Sequence, residues 1–126
     1  MQGEWNDSQP IYRQLRERVA AMILDGTLRE GEALPSVRQV SAECRVNPIT
    51  VLKAYQELVD EGLVEKRRGV GMFVASGAST RLLSRERERF LKETWPEIQD
   101  TIRRLGLNAA ALLALETSSD NPEDAP

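Results

Sequence analysis

Three pieces in fixed order constrain this chain most. Leu34-Pro35-Ser36 announces a helix start, Val46-Asn47-Pro48 announces a second one eleven residues later, and Lys66-Arg67-Arg68-Gly69-Val70-Gly71-Met72-Phe73-Val74 has the form of a basic hairpin with two glycines at its tip. Ser36 and Asn47 are strong N-cap residues, because a short side-chain oxygen can accept from the free N–H groups of the first helical turn. Pro48 suits the first helical position, where a missing N–H costs nothing. Two short helices joined by a turn and followed by a hairpin leave few possible folds.

The spacing of apolar residues fills in the elements. Asp7 and Ser8 offer capping groups ahead of a helix over 10–25, with Ile11, Leu15, Val19, Met22 and Ile23 on one face, and Gly26 stops it. Residues 29–34 read as a loop or one very short strand. Val37, Val40 and Cys44 form the stripe of the second helix, and Arg45-Val46 the turn. Val51, Ala54, Tyr55, Leu58 and Val59 form the buried face of the third helix, which Gly62 ends. Leu63–Arg68 and Met72–Ala75 are short strands, with Gly69-Val70-Gly71 supplying the φ freedom of a tight turn. The fold class is therefore mainly α with a small β-hairpin, a winged helix-turn-helix.

Ser76–Thr80 has the composition of a linker, with Ser79 or Thr80 as the next cap. A long helix over 81–105 follows. Leu83, Phe90, Leu91, Trp95, Ile98, Ile102 and Leu105 recur on it at steps near three, four and seven, and Pro96 should kink it. Gly106 closes that helix, and Asn108 caps a last short one carrying Leu112, Leu113 and Leu115. The organisation expected is a winged helix-turn-helix over 1–76, a helical dimerisation element over 77–116 and a disordered tail over 117–126.

Composition narrows the function. The chain has 126 residues, one cysteine, no histidine and a formal net charge of −3, so bulk electrostatics cannot carry nucleic-acid binding and any DNA contact needs a local basic patch. Without histidine, and with Cys44 alone, Cys/His metal sites and disulfide frameworks drop out. No Ser or Cys has a base at suggestive spacing, and Gly69-Val70-Gly71 falls short of a phosphate-binding fingerprint, so neither catalysis nor a cofactor is expected. No apolar run is long enough to span a membrane, and the start lacks the pattern of a secretory signal, which makes the cytoplasm the expected location.

In a helix-turn-helix the second of the paired helices enters the major groove. With its buried face assigned, the outward residues near its start are Asn47, Ile49, Thr50 and Lys53; Glu57, Asp60 and Glu61 would repel phosphate further along. Asn, Thr and Lys can hydrogen-bond bases or phosphates, and Ile49 can pack on a thymine methyl. Arg38 on the preceding helix and Arg67 and Arg68 beside the flexible tip suit phosphate or minor-groove contact. The sequence 85–89 alternates sign and reads as a solvated face, with Glu88 and Lys92 as an i, i+4 pair. Cys44 reads as a core thiol.

The seam from Leu83 through Phe90, Leu91, Trp95, Ile98, Ile102 and Leu105, with Leu112 beyond it, would leave a large apolar patch exposed on a lone chain. Pairing with a two-fold mate removes the patch and spaces two reading helices for a palindromic site, with Trp95 as the anchor. The alternative is that these helices fold back on their own winged domain.

The ordered set Gly31-x-x-Leu34-Pro35-Ser36-Val37-Arg38, Val46-Asn47-Pro48-Ile49-Thr50-Val51-x-x-Ala54-Tyr55-x-x-Leu58-x-x-x-Gly62-Leu63-Val64 and Arg68-Gly69-x-Gly71-x-Phe73-Val74 resembles the GntR-type winged helix-turn-helix regulators over roughly residues 10–75. The start of the third helix and the short helical C-terminal piece are similar to the YtrA-like branch. That resemblance implies a homodimeric DNA-binding regulator, usually a repressor, of genes that often serve membrane transport. It carries DNA contact onto Arg38, Asn47, Ile49, Thr50, Arg68, Gly69 and Val70. Leu52 departs from the family pattern, standing where many members have a guanine-reading arginine and leaving Lys53 as a substitute. Val70 replaces a frequently polar tip and shifts weight to Arg67 and Arg68. A small-molecule effector would have to bind between helices or subunits, since the appendage is too short for a ligand domain. Two other functions fit the same pattern: a winged-helix protein-interaction module without DNA readout, and a DNA-binding fragment of a larger aminotransferase-like regulator.

Overall fold

The computed structural model describes residues 4–116, so the tail expected to be disordered lies outside the described residues. The chain is mainly helical with one two-stranded antiparallel sheet, and it divides into two compact units between Arg85 and Glu86. The first unit contains α1 (Ile11–Leu24), α2 (Val37–Cys44), α3 (Pro48–Asp60), β1 (Val64–Arg67) and β2 (Gly71–Val74), and α4 starts at Ala78 and runs to Arg89.

α1 buries Leu15, Val19, Ala20 and Ile23 as its spacing requires, but Ile11 is left exposed and Gln14 is buried. A buried amide is tolerable only when its polar atoms are satisfied. Gln14 Nε2 donates to the carbonyls of Asn6 (2.9 Å) and Gln9 (2.7 Å), and its Oε1 accepts from the Asn6 N–H at 3.1 Å, which ties the N-terminal segment to the helix. The cap expected from Asp7 or Ser8 is not made; Pro10 holds the cap position without a side-chain bond, and the Ser8 N–H donates to Asn6 Oδ1 instead. Trp5 packs against the core with the Arg18 guanidinium 4.1 Å above its ring.

The two helix starts of the helix-turn-helix form as the sequence indicates. Ser36 Oγ accepts from the Gln39 N–H at 3.0 Å, and Asn47 Oδ1 from the Ile49 N–H at 2.9 Å with Pro48 in the first turn. Val51, Ala54, Tyr55 and Leu58 bury α3 against the core, and Val40 and Cys44 bury α2. Tyr55 fixes one more link by donating its hydroxyl to the Pro35 carbonyl at 2.7 Å. Burial pushes its phenol well above the ordinary range, so the hydroxyl stays a donor.

β1 and β2 pair Val64 with Val74, Glu65 with Phe73, Lys66 with Met72 and Arg67 with Gly71. The segment before α2 lies along the free edge of β2: Ala33 bridges Phe73, the Leu34 N–H donates to the Met72 carbonyl (2.9 Å), and the Gly31 N–H to that of Val74 (2.8 Å). That resolves residues 29–34 in favour of a short strand-like edge, which leaves less of β2 open to foreign pairing.

Composition misleads at residues 76–80. The helix is under way at Ala78, which is fully buried, and Leu82 lies in the same core, so the first unit extends to Arg85. Small residues there fit α4 close to the core rather than marking flexibility. The Gly77 N–H donates to Glu30 Oε1 at 2.7 Å, a partner 47 residues away that no local pattern announces.

In the second unit a π turn spans Phe90–Thr94, followed by α5 (Trp95–Arg104) and α6 (Ala109–Ala114). The long helix expected over 81–105 is thus realised as α4, the π turn and α5 without a gap, and the interruption expected at Pro96 lies in the turn just before it. Pro96 sits in the first turn of α5, where its absent N–H is harmless, and the preceding π turn absorbs the lost i→i−4 bond. Asn108 Oδ1 caps α6 by accepting from the Ala111 N–H at 3.0 Å.

Candidate nucleic-acid interface

With four residues of α3 turned inward, the opposite arc is set. Ile49 is 74% exposed and Leu52 46% exposed, with Lys53 and Gln56 beside them and Thr50 half-buried on the flank. Asn47 spends its side-chain oxygen on the cap, so its amide nitrogen is the part left for a ligand. Lys53 does not extend freely: its ammonium rests 4.1 Å above the Tyr12 ring of α1. Gln56 Nε2 donates to Asp60 Oδ1 at 3.1 Å.

Arg38 is exposed in the first turn of α2, and its side chain makes no ion pair among the described residues. In the wing the Val70 N–H donates to the Arg67 carbonyl at 2.9 Å, closing a turn in which Gly69 has φ +75. A side chain other than glycine would be strained there. The two wing arginines differ. Arg67 lies 4.1 Å above the Phe73 ring and 3.7 Å from Glu65, whereas Arg68 is exposed and has no ion-pair partner among the described residues. Val70 stands exposed at the tip.

A cleft of about 360 Å³ joins the wing to the start of α2, lined by Leu34, Ser36, Tyr55, Lys66, Arg67 and Val70 among others. It brings the cap of α2 and the basic wing strand to one surface, although Lys66 and Val70 lie some thirty residues further along the chain than Ser36.

Sequence reasoning missed a clamp at the other end of α3. Arg16 grips Glu61 with two hydrogen bonds, one from Nε at 2.7 Å, and Arg85 reaches the same carboxylate at 3.3 Å. Arg81 donates to the Gly62 carbonyl. The Glu61 carboxylate holds the Arg16 guanidinium above its ordinary pKa, the hydrogen bond outweighing desolvation. Arg85 was expected on a solvated face; it instead neutralises the acidic end of α3. The partners are 24 and 45 residues apart, beyond any short-range pattern. The Glu88–Lys92 pair does form, at 2.6 Å.

Leu83 is exposed on the part of α4 within the first unit. In the second unit Phe90 stacks on Trp95 with ring centroids 6.4 Å apart, and Leu91, Ile98 and Leu105 are exposed. Trp95, Ile102 and Leu112 are half-buried, and a shallow hollow of about 330 Å³ is lined by Ile98, Ile102, Leu105, Leu107 and Leu112.

Residues 11–74 match the gntR family of bacterial regulatory proteins. The chain is 30% identical over 113 residues to the HTH-type transcriptional regulator YhcF of Bacillus subtilis, covering 90% of this chain and 92% of that protein. It is 41% identical over 76 residues to the HTH-type transcriptional repressor YtrA of the same bacterium, 60% of this chain and 58% of that one. Among solved structures, the DNA-binding domain of AraR in complex with operator ORE1 superposes with a TM-score of 0.53 at 28% identity, over 60% of this chain and 94% of that chain.

Proposed function

The chain belongs to the gntR family of bacterial regulatory proteins, transcriptional regulators that are not enzymes, and from that premise we propose that it is a repressor that binds a palindromic operator as a homodimer. The observation that carries the DNA reading is the outward start of α3, capped by Asn47 and exposed at Ile49 and Leu52, on a fold similar to one solved on operator DNA. α3 enters the major groove; Arg38, Asn47, Ile49, Thr50 and Lys53 face it or its phosphates, and Arg67, Arg68, Gly69 and Val70 bring the wing to the minor groove or backbone. The repressor role rests on similarity to the repressor YtrA.

Pairing is supported by the second unit itself, where no residue from Glu86 to Glu116 is buried. Phe90, Leu91, Trp95, Ile98, Ile102, Leu105 and Leu112 gain cover from the same residues of a second copy, with Leu83 extending the contact, and two α3 helices are thereby linked to two half-sites. The cleft between wing and α2 is at the lower end of small-ligand volumes, and a small-molecule effector seated there would displace the wing. The protein acts in the cytoplasm, where its operator is.

Footprinting of the full chain on its own upstream region, with sedimentation equilibrium at the same concentrations, tests the proposal. A two-fold protected pattern, a dimer mass and an affinity that falls steeply with salt are expected. A salt-insensitive or absent footprint refutes it.

A further inference from the structure

The groups on the exposed arc of α3 that could donate to a base edge are mostly engaged. Lys53 is drawn over Tyr12, and Gln56 donates to Asp60. Two apolar side chains remain open to the groove: Ile49 and Leu52. They are three residues apart, so their Cβ atoms are neighbours on the helix surface, about 5–6 Å from each other. Neither belongs to the core, and a β-branched residue such as Ile49 gives an exposed helix no intrinsic advantage. The cluster therefore contributes little to the fold.

Among the chemical groups displayed in the major groove, one is apolar, the C5 methyl of thymine. We propose that Ile49 and Leu52 form a patch that reads thymine methyl groups in each operator half-site, so that the centre of the α3 footprint selects thymine by apolar contact instead of guanine by hydrogen bonding. This rests on the operator-binding role assigned to α3 above. The surrounding chemistry agrees: Asn47 offers a polar contact two residues before Ile49, Arg38 is exposed on α2, and the acidic end of α3 is held by Arg16 and Arg85. Register comes from those polar contacts, and discrimination from the methyls.

The test begins by selecting duplexes from a random-sequence pool with the full chain, then resynthesising the enriched operator with deoxyuridine replacing one thymine at a time. Fluorescence anisotropy at fixed salt should show, at one or two positions per half-site, a loss of about fourfold for each methyl removed. Ile49→Ala or Leu52→Ala should abolish that sensitivity while leaving the melting temperature unchanged, since both side chains are exposed. Leu52→Arg should move selection at the contacted position towards guanine. An operator whose binding ignores the deoxyuridine replacements, or a sensitivity that persists in both alanine variants, overturns the proposal. If the pool yields no enriched sequence and binding ignores salt, the operator-binding role itself fails, and the methyl readout falls with it.

Discussion

The two units of this chain carry apolar stripes of similar quality and use them differently. From Leu15 to Leu82 one continuous cluster is buried, closed by α1, α2, α3, both strands and the start of α4. From Glu86 to Glu116 nothing is buried, although Phe90, Leu91, Ile98, Leu105 and Leu113 lie there exposed. The pattern in the first unit is satisfied by the unit itself, while the pattern in the second calls for surface it does not contain. A stripe in sequence thus specifies that a face will be covered, not what covers it.

The largest expected effect breaks the second unit's side of this contrast. In the proposed dimer, Trp95→Asp with Ile102→Asp places two desolvated charges in the contact, and sedimentation should return a single-chain mass. Affinity for a duplex with two half-sites should fall by about 10²- to 10⁴-fold, the usual gain from tethering two binding modules. The melting of the first unit should not change. A variant that remains paired would mean the stripe has another use.

Next comes the first unit's side. Leu58 is fully buried on α3, and Leu58→Ala should cost about 2–5 kcal/mol in urea denaturation through lost transfer energy and a residual cavity. Self-association of the second unit should survive, because Leu58 belongs to the core of the first unit and the stripe to the second. A cost under about 1 kcal/mol would show that the first core is looser than its burial implies.

How much could be read in advance follows the same division. The α3 stripe, the Ser36 and Asn47 caps and the hairpin were legible because each depends on residues within one or two turns of each other. Three features were not. Ala78 belongs to the core only because α4 packs against elements far earlier in the chain, and composition cannot distinguish a small buried residue from a flexible one. The π turn at Phe90–Thr94 is the backbone's local solution to a missing N–H; proline fixes that the preceding turn must yield, but not that it yields as a π turn. Arg85 on Glu61 is a tertiary pair with no spacing rule. Within the candidate interface, the positions of Ile49 and Thr50 followed from helical period, whereas the capture of Lys53 by Tyr12 and of Arg67 by Phe73 did not.

A smaller effect tests whether local caps matter to the first unit beyond their own helix. Ser36→Ala removes the acceptor for the Gln39 N–H and should cost about 1 kcal/mol, which for a domain of this size lowers the melting temperature by about 4–8 °C. Pro35, next to it, receives the Tyr55 hydroxyl, so loosening α2 also loosens its link to α3. Calorimetry should show the transition shifted but still single. A second, earlier transition would indicate that α2 frays independently of the core.

The smallest effect brings the contrast between satisfied and unsatisfied groups down to the wing. Arg68 has no ion-pair partner among the described residues, while Arg67 is settled on Phe73 beside Glu65. A guanidinium stacked on a ring must give up that contact to reach a phosphate, and the unstacked one gives up only water. Arg68→Ala should therefore lower the slope of log affinity against log salt by about 1.8 for the dimer, one phosphate's share of about 0.9 from each of its two wings. Arg67→Ala should lower it by less and should instead reduce the wing's own stability, visible as faster amide exchange in β1 and β2. Equal losses of slope from the two would mean that Arg67 leaves Phe73 when DNA binds, and the stacked position would then be a resting state of the wing.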